Sequence, residues 1–119
     1  MSDFRMGEAE FKFAELIWCN EPLSSGQLAK LAEGSLNWKK TTSFTVLKRL
    51  CDRGIFQNER GTVTSKISRE AYFALHSQQY VAETFGGSLP AFLTAFSSRK
   101  KLSDQEIDAL KKLIDEMKG

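Results

Sequence analysis

Apolar side chains in the first 35 residues recur every three or four positions, which is the spacing of one face of an α-helix. The first such segment predicts a helix from Glu8 to Cys19, with an apolar face formed by Phe11, Phe13, Ala14, Leu16, Ile17 and Trp18. Pro22 blocks its continuation. Ser24, followed three positions later by Gln27, is a capping box that predicts a second helix over 25–33, closed by Gly34.

The next segment predicts a third helix, Lys39 to Arg53, after a turn at residues 34–37. Because each residue turns a helix by about 100°, one face of this helix is expected to be buried and to carry Ser43, Val46, Leu47 and Leu50. The outer face then carries Thr41, Thr45, Lys48 and Asp52, with Phe44 and Arg49 on its flanks. Trp38 precedes the helix and is expected to pack on the core, although contact with a ligand of the outer face remains an alternative.

A hairpin pattern follows the third helix. Two short runs, Ile55–Asn58 and Val63–Ile67, flank a glycine-containing turn at Arg60-Gly61. Two helices joined by a turn and followed by a basic hairpin are the layout of a winged helix-turn-helix DNA-binding domain. We therefore predict such a domain over residues 1–68.

The last fifty residues change in character and predict three further helices. Ser68 caps the first, which runs to about Thr84 and ends at Phe85-Gly86-Gly87; Tyr72, Phe73, Tyr80 and Val81 are its anchors. Ser88 caps the second, with Pro90 in the first turn, where proline is tolerated. Ser103 and Glu106 form a capping box that opens the third, whose apolar stripe is Ile107, Leu110, Ile114 and Met117.

These helices are too short to enclose their own apolar surface, which therefore needs a partner. A second copy of the chain is the simplest partner, so residues 69–119 are predicted to be a helical dimerisation region. The predicted contact residues are Tyr80, Leu89, Phe92, Leu93, Phe96, Ile107, Leu110 and Ile114. The alternative is that these helices fold back on the winged helix as additional core.

Charge is distributed unevenly along a chain whose total is nearly balanced, with 17 basic and 15 acidic residues. Residues 1–35 carry three basic and six acidic side chains, residues 36–69 carry eight and two, and residues 70–119 carry six and seven. Phosphate contacts supply most non-specific DNA affinity, so a local basic cluster matters more than the total. The cluster coincides with the third helix and the hairpin, which favours DNA as the partner.

Other classes of function find little support in the sequence. No apolar run approaches the roughly 20 residues of a membrane span, and no signal peptide precedes the first helix, so a cytoplasmic protein is expected. Cys19 and Cys51 are 31 positions apart without a neighbouring metal-ligand pattern, and they are expected to be packed free thiols. His76 has no nucleophile pattern nearby, and no phosphate-binding loop is present, so neither an enzyme nor a cofactor is expected.

Several local strings resemble the penicillinase-repressor family of bacterial winged-helix regulators. Ala9-Glu10-Phe11 through Ile17-Trp18 is similar to the family's first helix. Trp38-Lys39-Lys40-Thr41-Thr42, with Arg49-Leu50 and Arg53-Gly54, is similar to its recognition segment. The most distinctive strings are Phe85-Gly86-Gly87-Ser88-Leu89 through Phe96, and Lys101-Leu102-Ser103 with Glu106-Ile107, which resemble its C-terminal dimerisation region.

The resemblance implies a homodimeric repressor that binds palindromic operators in double-stranded DNA. In that family a membrane sensor protease often cleaves the repressor in its C-terminal region. The matching bond is Ala95-Phe96, where the penicillinase repressors carry Asn-Phe. The family's copper-responsive branch carries paired CxC motifs, which this sequence lacks.

Two groups of residues are predicted to contact DNA. Phosphates would be bound by Lys39, Lys40, Thr42, Lys48 and Arg49 from the helix, and by Arg60 and Lys66 from the hairpin. Base edges would be contacted by Thr41, Phe44 and Thr45. Two alternatives stay open: a winged helix that binds protein through Phe44 and Asp52, and a ligand-sensing regulator with a pocket among Tyr72, Tyr80, Phe92 and Phe96.

Overall fold

The structure is a computed structural model that describes residues 5–118. Over this range the chain forms six helices and three short strands: α1 (Glu8–Asn20), β1 (Leu23–Ser24), α2 (Ser25–Leu36), α3 (Lys40–Asp52), β2 (Phe56–Glu59), β3 (Thr62–Ser65), α4 (Arg69–Phe85), α5 (Leu89–Ser97) and α6 (Asp104–Met117). The predicted fold class, mostly helical with a small β-hairpin, is confirmed. The chain divides into two compact units after Ser77, inside α4 and later than the division predicted after residue 68.

The core of the first unit forms where α1, α2 and α3 meet the strands. Its completely or almost completely buried members are Phe13, Ala14, Ile17, Leu28, Ala32, Leu50, Ile55, Phe56 and Val63. Ser24 and Gln27 make the predicted capping box: the Gln27 backbone N–H donates to the Ser24 hydroxyl at 3.0 Å, and the Ser24 N–H donates to the Gln27 side chain at 2.9 Å. Two orphan N–H groups at the start of α2 are thereby satisfied.

The second helix is longer than the sequence predicted. It continues through Gly34 to Leu36, and Asn37 ends it in the left-handed conformation with φ of 58°. Asparagine tolerates this conformation better than other residues with a side chain. The Trp38 backbone N–H donates to the Ala32 carbonyl at 3.3 Å, which helps to close the helix. The turn between α2 and α3 therefore lies after Leu36, and the predicted end at Gly34 was wrong.

The hairpin belongs to a three-stranded antiparallel sheet of order β1-β3-β2. Strands β2 and β3 are joined by a two-residue turn, Arg60-Gly61, in which both residues have positive φ. Such turns match the twist of the flanking strands. The third strand, β1, was not predicted from the sequence; it pairs Leu23 with Val63 and Ser24 with Thr62. A strand of two residues is too short to show the alternating pattern by which strands are predicted. It forms because β3 has backbone groups available for hydrogen bonding with it.

Polar contacts tie α1 to the chain that follows the sheet. The Trp18 indole N–H donates to the Ile67 carbonyl at 3.0 Å. Arg69 donates from Nε and Nη2 to the two carboxylate oxygens of Glu15 at 2.6 and 3.2 Å, and its guanidinium lies 4.6 Å from the centroid of the Phe73 ring. The hydrogen bond to Glu15 raises the pKa of Arg69, so this residue stays charged. The first turn of α4 is thereby fixed to α1.

The second unit contains the end of α4, together with α5 and α6. Aromatic rings join α4 to α5: the Phe85 and Phe92 centroids are 5.6 Å apart, and the Tyr80 and Phe92 centroids are 6.3 Å apart. No residue of α5 or α6 is fully buried. Large apolar side chains remain exposed on this unit: Tyr80, Leu89, Phe96, Leu113, Ile114 and Met117.

The cap of α6 provides a pH-dependent prediction. The Ser103 backbone N–H donates to the Glu106 carboxylate at 3.0 Å, which lowers the pKa of Glu106. A carboxylate with a lowered pKa in the folded state adds stability above its unfolded pKa, and this stability is lost as the pH falls through the folded pKa. We expect the difference in unfolding temperature between wild type and Glu106→Gln to shrink as the pH falls below about 4. Circular dichroism melts between neutral and acid pH measure this.

Asp108→Asn in the same exposed helix is the matched control, because it removes a carboxylate outside the cap. The difference in unfolding temperature between Asp108→Asn and wild type should depend less on pH. If the unfolding temperature of Glu106→Gln differed from that of wild type by the same amount at neutral and acid pH, the Glu106 carboxylate would not stabilise the start of α6 through its charge.

Candidate nucleic-acid interface

Helix α3 has the two faces that its helical period predicts. Ser43, Val46, Leu47 and Leu50 are buried against α1, α2 and the sheet. All eight residues predicted to contact DNA from α3 or from its N-cap, Lys39, are exposed: Lys39, Lys40, Thr41, Thr42, Phe44, Thr45, Lys48 and Arg49. Since the apolar face is buried in the core, the outer face is available to a partner.

Two lysines on the outer face contact other side chains of α3. The Lys40 ammonium lies 5.6 Å from the centroid of the Phe44 ring, whose side chain is 38% exposed. The Lys48 ammonium lies 3.1 Å from a carboxylate oxygen of Asp52, one turn further along. Exposed pairs of this kind are weak and screened by salt, so both ammonium groups can still bind a phosphate.

The hydroxyl of Thr45 has a defined direction. Its Oγ1 donates to the Thr41 carbonyl at 2.9 Å, one turn earlier in the helix. The hydroxyl proton is therefore used inside α3, although Thr45 as a whole is exposed. The Thr45 methyl and the Phe44 ring can contact thymine methyl groups, and the Thr45 oxygen can accept from a base amino group.

Arg49 is held by Glu10, a residue whose functional relevance was not predicted from the sequence. The Nε of Arg49 lies 3.0 Å from Oε2 of Glu10 in the first turn of α1, and Nη1 of Arg53 lies 3.7 Å from the same oxygen. Arg53 also donates to the Arg5 carbonyl. The basic side chains at the end of α3 are thus partly neutralised by α1, which charge counting along the chain could not reveal.

The hairpin presents its two predicted residues on the surface. Arg60 is exposed at the tip and has φ of 53°. The turn is fixed by Asn58, whose side-chain oxygen accepts from the Gly61 N–H at 3.0 Å. Lys66 is exposed just after β3, and its backbone N–H donates to the Ile55 carbonyl at 2.9 Å. Both cations therefore project from backbone that is fixed by hydrogen bonds.

Two grooves beside α3 add residues that were not predicted from the sequence. A groove of about 460 Å³ brings Ser25 of α2 and Asn58 of β2 beside Phe44 and Lys48. Another, of about 420 Å³, places Lys30 of α2 beside Lys40, together with Glu33. Only tertiary packing brings these polar residues of α2 and β2 beside α3.

Trp38 and the cysteines complete this part of the chain. The Trp38 ring stacks on Phe13 at 5.1 Å between centroids, as expected for core packing.

Burial and the neighbouring Asp52 raise the pKa of the Cys51 thiol, so Cys51 stays protonated. Cys19 is exposed, and the prediction that it is packed was wrong. It lies two positions after buried Ile17, which turns it by about 200° away from the core.

Membrane-spanning helices and metal clusters are both absent from residues 5–118. Within this range no helix is long and apolar enough to cross a membrane. The described histidine, cysteine, aspartate and glutamate side chains form no cluster of three that could hold a metal ion.

Comparison with known proteins agrees with this geometry. The family model described as penicillinase repressor matches residues 6–116. The penicillinase repressor of Bacillus licheniformis is 24% identical over 119 residues, which covers 97% of this chain and 93% of that protein. The match extends through α1, the winged helix and nearly all of the C-terminal helices. The chain therefore belongs to the penicillinase repressor family.

Proposed function

We propose that this protein is a DNA-binding transcriptional repressor that acts as a homodimer on a two-fold symmetric operator. The observation that carries the proposal is the exposed outer face of α3, which displays threonines and cations while its opposite face is buried in the core. Membership of a repressor family agrees with this function. Placed in a major groove, the face would offer Thr41, Phe44 and Thr45 to base edges.

The phosphate contacts in this proposal come from both sides of the base-contacting residues. Lys39, Lys40, Thr42, Lys48 and Arg49 surround them on α3, and Arg60 and Lys66 extend the contact from the hairpin. Such contacts fix register and orientation, while base edges select the sequence.

The C-terminal unit supports the dimeric part of the proposal. Tyr80, Leu89, Phe96 and Ile114 are exposed, and Phe92, Leu93, Ile107 and Leu110 are only partly buried. Apolar groups exposed in this number usually mark a protein interface. A second copy would bury them through a two-fold interface and would supply the second α3 that a palindromic operator needs.

Proteolytic relief of repression is a further part of the proposal. The Ala95-Phe96 bond lies in the last turn of α5, which ends at Ser97, and both residues are exposed. Helix ends fray, so a protease could reach this bond without unfolding the whole unit. Cleavage there would separate α6 from the rest of the proposed dimerisation region and thereby weaken operator binding.

Electrophoretic mobility shift on DNA flanking the chain's own gene tests the proposal, with a coding fragment of equal length as competitor. We expect a specific shift whose affinity falls by orders of magnitude between about 50 and 200 mM salt, because bound phosphates release counterions. Sedimentation of the free protein should give the mass of two chains. Absence of a shift, or a shift that does not respond to salt, would overturn DNA binding, and a monomeric mass would overturn the dimer.

A further inference from the structure

The Glu10 carboxylate in α1 lies where two arginines of the α3 segment converge. Its Oε2 is 3.0 Å from Nε of Arg49 and 3.7 Å from Nη1 of Arg53. Its other oxygen, Oε1, accepts from the Gly7 backbone N–H at 3.1 Å. The Glu10 side chain is only 20% exposed, so it is far less mobile than an acid on the open surface.

Arg49 is anchored through the part of its guanidinium that is nearest the helix. The contact joins Nε to Oε2 as an ion pair without the geometry of a hydrogen bond, and the Arg49 side chain remains 52% exposed. Arg49 follows Thr45 by four positions, which puts the two residues on the same side of α3. An anchored guanidinium beside the proposed base-contacting surface can offer its outer nitrogens to a phosphate oxygen.

We propose that Glu10 is a positioning residue that holds Arg49 ready to bind a DNA phosphate. This inference rests on the proposed function and adds a residue of α1 to the interface. A long side chain loses rotamer freedom when it binds, and a side chain that is already held loses less. Glu10 is suited to this task because its own position is fixed by Gly7 and by partial burial.

The proposal predicts an effect opposite in sign to simple electrostatics. Removing a negative charge from a DNA-binding protein normally strengthens binding, since less charge repels the phosphates. Glu10→Gln removes such a charge but also releases Arg49. We therefore expect this variant to bind DNA about three- to tenfold more weakly than wild type, which corresponds to the ordering of one long side chain.

Glu8→Gln is the matched control, because it makes the same charge change in the same turn of α1. Glu8 is 87% exposed and lies 3.5 Å from Lys12. Affinities are measured by fluorescence anisotropy of a labelled duplex of about 30 base pairs and mixed sequence, since a phosphate contact does not depend on sequence. Glu8→Gln should bind within about twofold of wild type, on the tighter side, because an exposed charge is screened.

A double-mutant cycle separates positioning from general damage to α1. Glu10→Gln should weaken binding when Arg49 is present and should not do so in the Arg49→Ala background. Arg49→Ala itself should reduce the slope of log affinity against log salt by about 0.9, the value for one phosphate contact. A merely structural role for Glu10 would weaken binding equally in both backgrounds.

Arg49→Lys provides a second test that leaves Glu10 and the net charge unchanged. Lysine has a single side-chain nitrogen. Its ammonium therefore cannot pair with Glu10 and present further nitrogens to a phosphate, as the arginine guanidinium can. This variant should also weaken binding, and Lys112→Arg in α6, which likewise keeps the charge but lies outside the winged helix, should not. If Glu10→Gln does not fold, as judged by thermal unfolding, the pair of charge-conserving variants decides the question.

Three results would overturn the inference. Glu10→Gln could bind as tightly as Glu8→Gln or more tightly, its effect could persist without Arg49, or Arg49→Lys could bind like wild type. Each leaves the proposed function standing, because wild type still binds DNA with a salt dependence. Failure of wild type to bind any duplex would overturn the proposed function together with this inference.

Discussion

Replacing both Lys40 and Lys48 with alanine should weaken DNA binding by about 10- to 100-fold at about 0.1 M salt, the loss expected for two phosphate contacts. Both side chains are exposed on the outer face of α3. The loss of Lys48 also leaves the Asp52 carboxylate, which lies 3.1 Å from the Lys48 ammonium, without its partner and free to repel phosphates. Anisotropy titrations on operator and mixed-sequence DNA measure the effect, and both should weaken together because phosphates carry no sequence information.

The salt dependence gives a second readout of this double variant. The slope of log affinity against log salt should become shallower by about 1.8, or about 0.9 for each phosphate that is no longer neutralised. Lys111→Ala with Lys112→Ala in α6 makes the same charge change outside the winged helix and should leave the slope unchanged. A selective loss of operator binding, with mixed-sequence binding intact, would show that these lysines contact bases.

Replacing Phe13 with alanine should reduce the free energy of unfolding by about 3–5 kcal/mol, the range for large aromatic residues in a core. Phe13 is completely buried in the cluster that includes Leu50 and Phe56, and its ring stacks on Trp38. Truncation removes buried apolar area and leaves a cavity next to the Trp38 ring. Urea denaturation followed by circular dichroism measures the change.

Phe44→Ala is the matched control for stability, since it makes the same substitution on the exposed side of α3. It should change the free energy of unfolding by less than about 1 kcal/mol, as surface substitutions usually do. The two variants should therefore differ clearly in stability, and Phe44→Ala should alter DNA binding without unfolding the protein. A denaturation midpoint for Phe13→Ala equal to that of Phe44→Ala would contradict the core assignment.

Local patterns predicted most of the elements because their causes are local. The capping boxes at Ser24 and Ser103 join residues three positions apart, so the sequence alone places the starts of α2 and α6. The period of Val46, Leu47 and Leu50 likewise predicts which side of α3 is buried. The DNA-contact assignments that follow from that phase stay predictions, but the exposure on which they depend is present in the fold.

Features made by distant residues were not predictable in this way. Strand β1 depends on hydrogen-bonding groups offered by β3, some forty positions away in the chain. The end of α2 was placed too early because glycine usually follows a helix, whereas here Asn37 takes the left-handed position and Gly34 stays helical. The next residue, Trp38, packs on Phe13, and its backbone N–H closes the helix on the Ala32 carbonyl.

The helical phase of α3, the hairpin turn and the concentration of basic residues between positions 36 and 69 were predictable, because these depend on spacing and composition. The partners of those charges depend instead on how the chain folds. Folding brings Glu10 to Arg49 and Glu15 to Arg69, so these two cations meet carboxylates that lie far away in the chain. Lys39, Lys40, Arg60 and Lys66 have no such distant carboxylate partner among the described residues. Electrostatic attraction depends on distance in space, and a count along the chain cannot measure it.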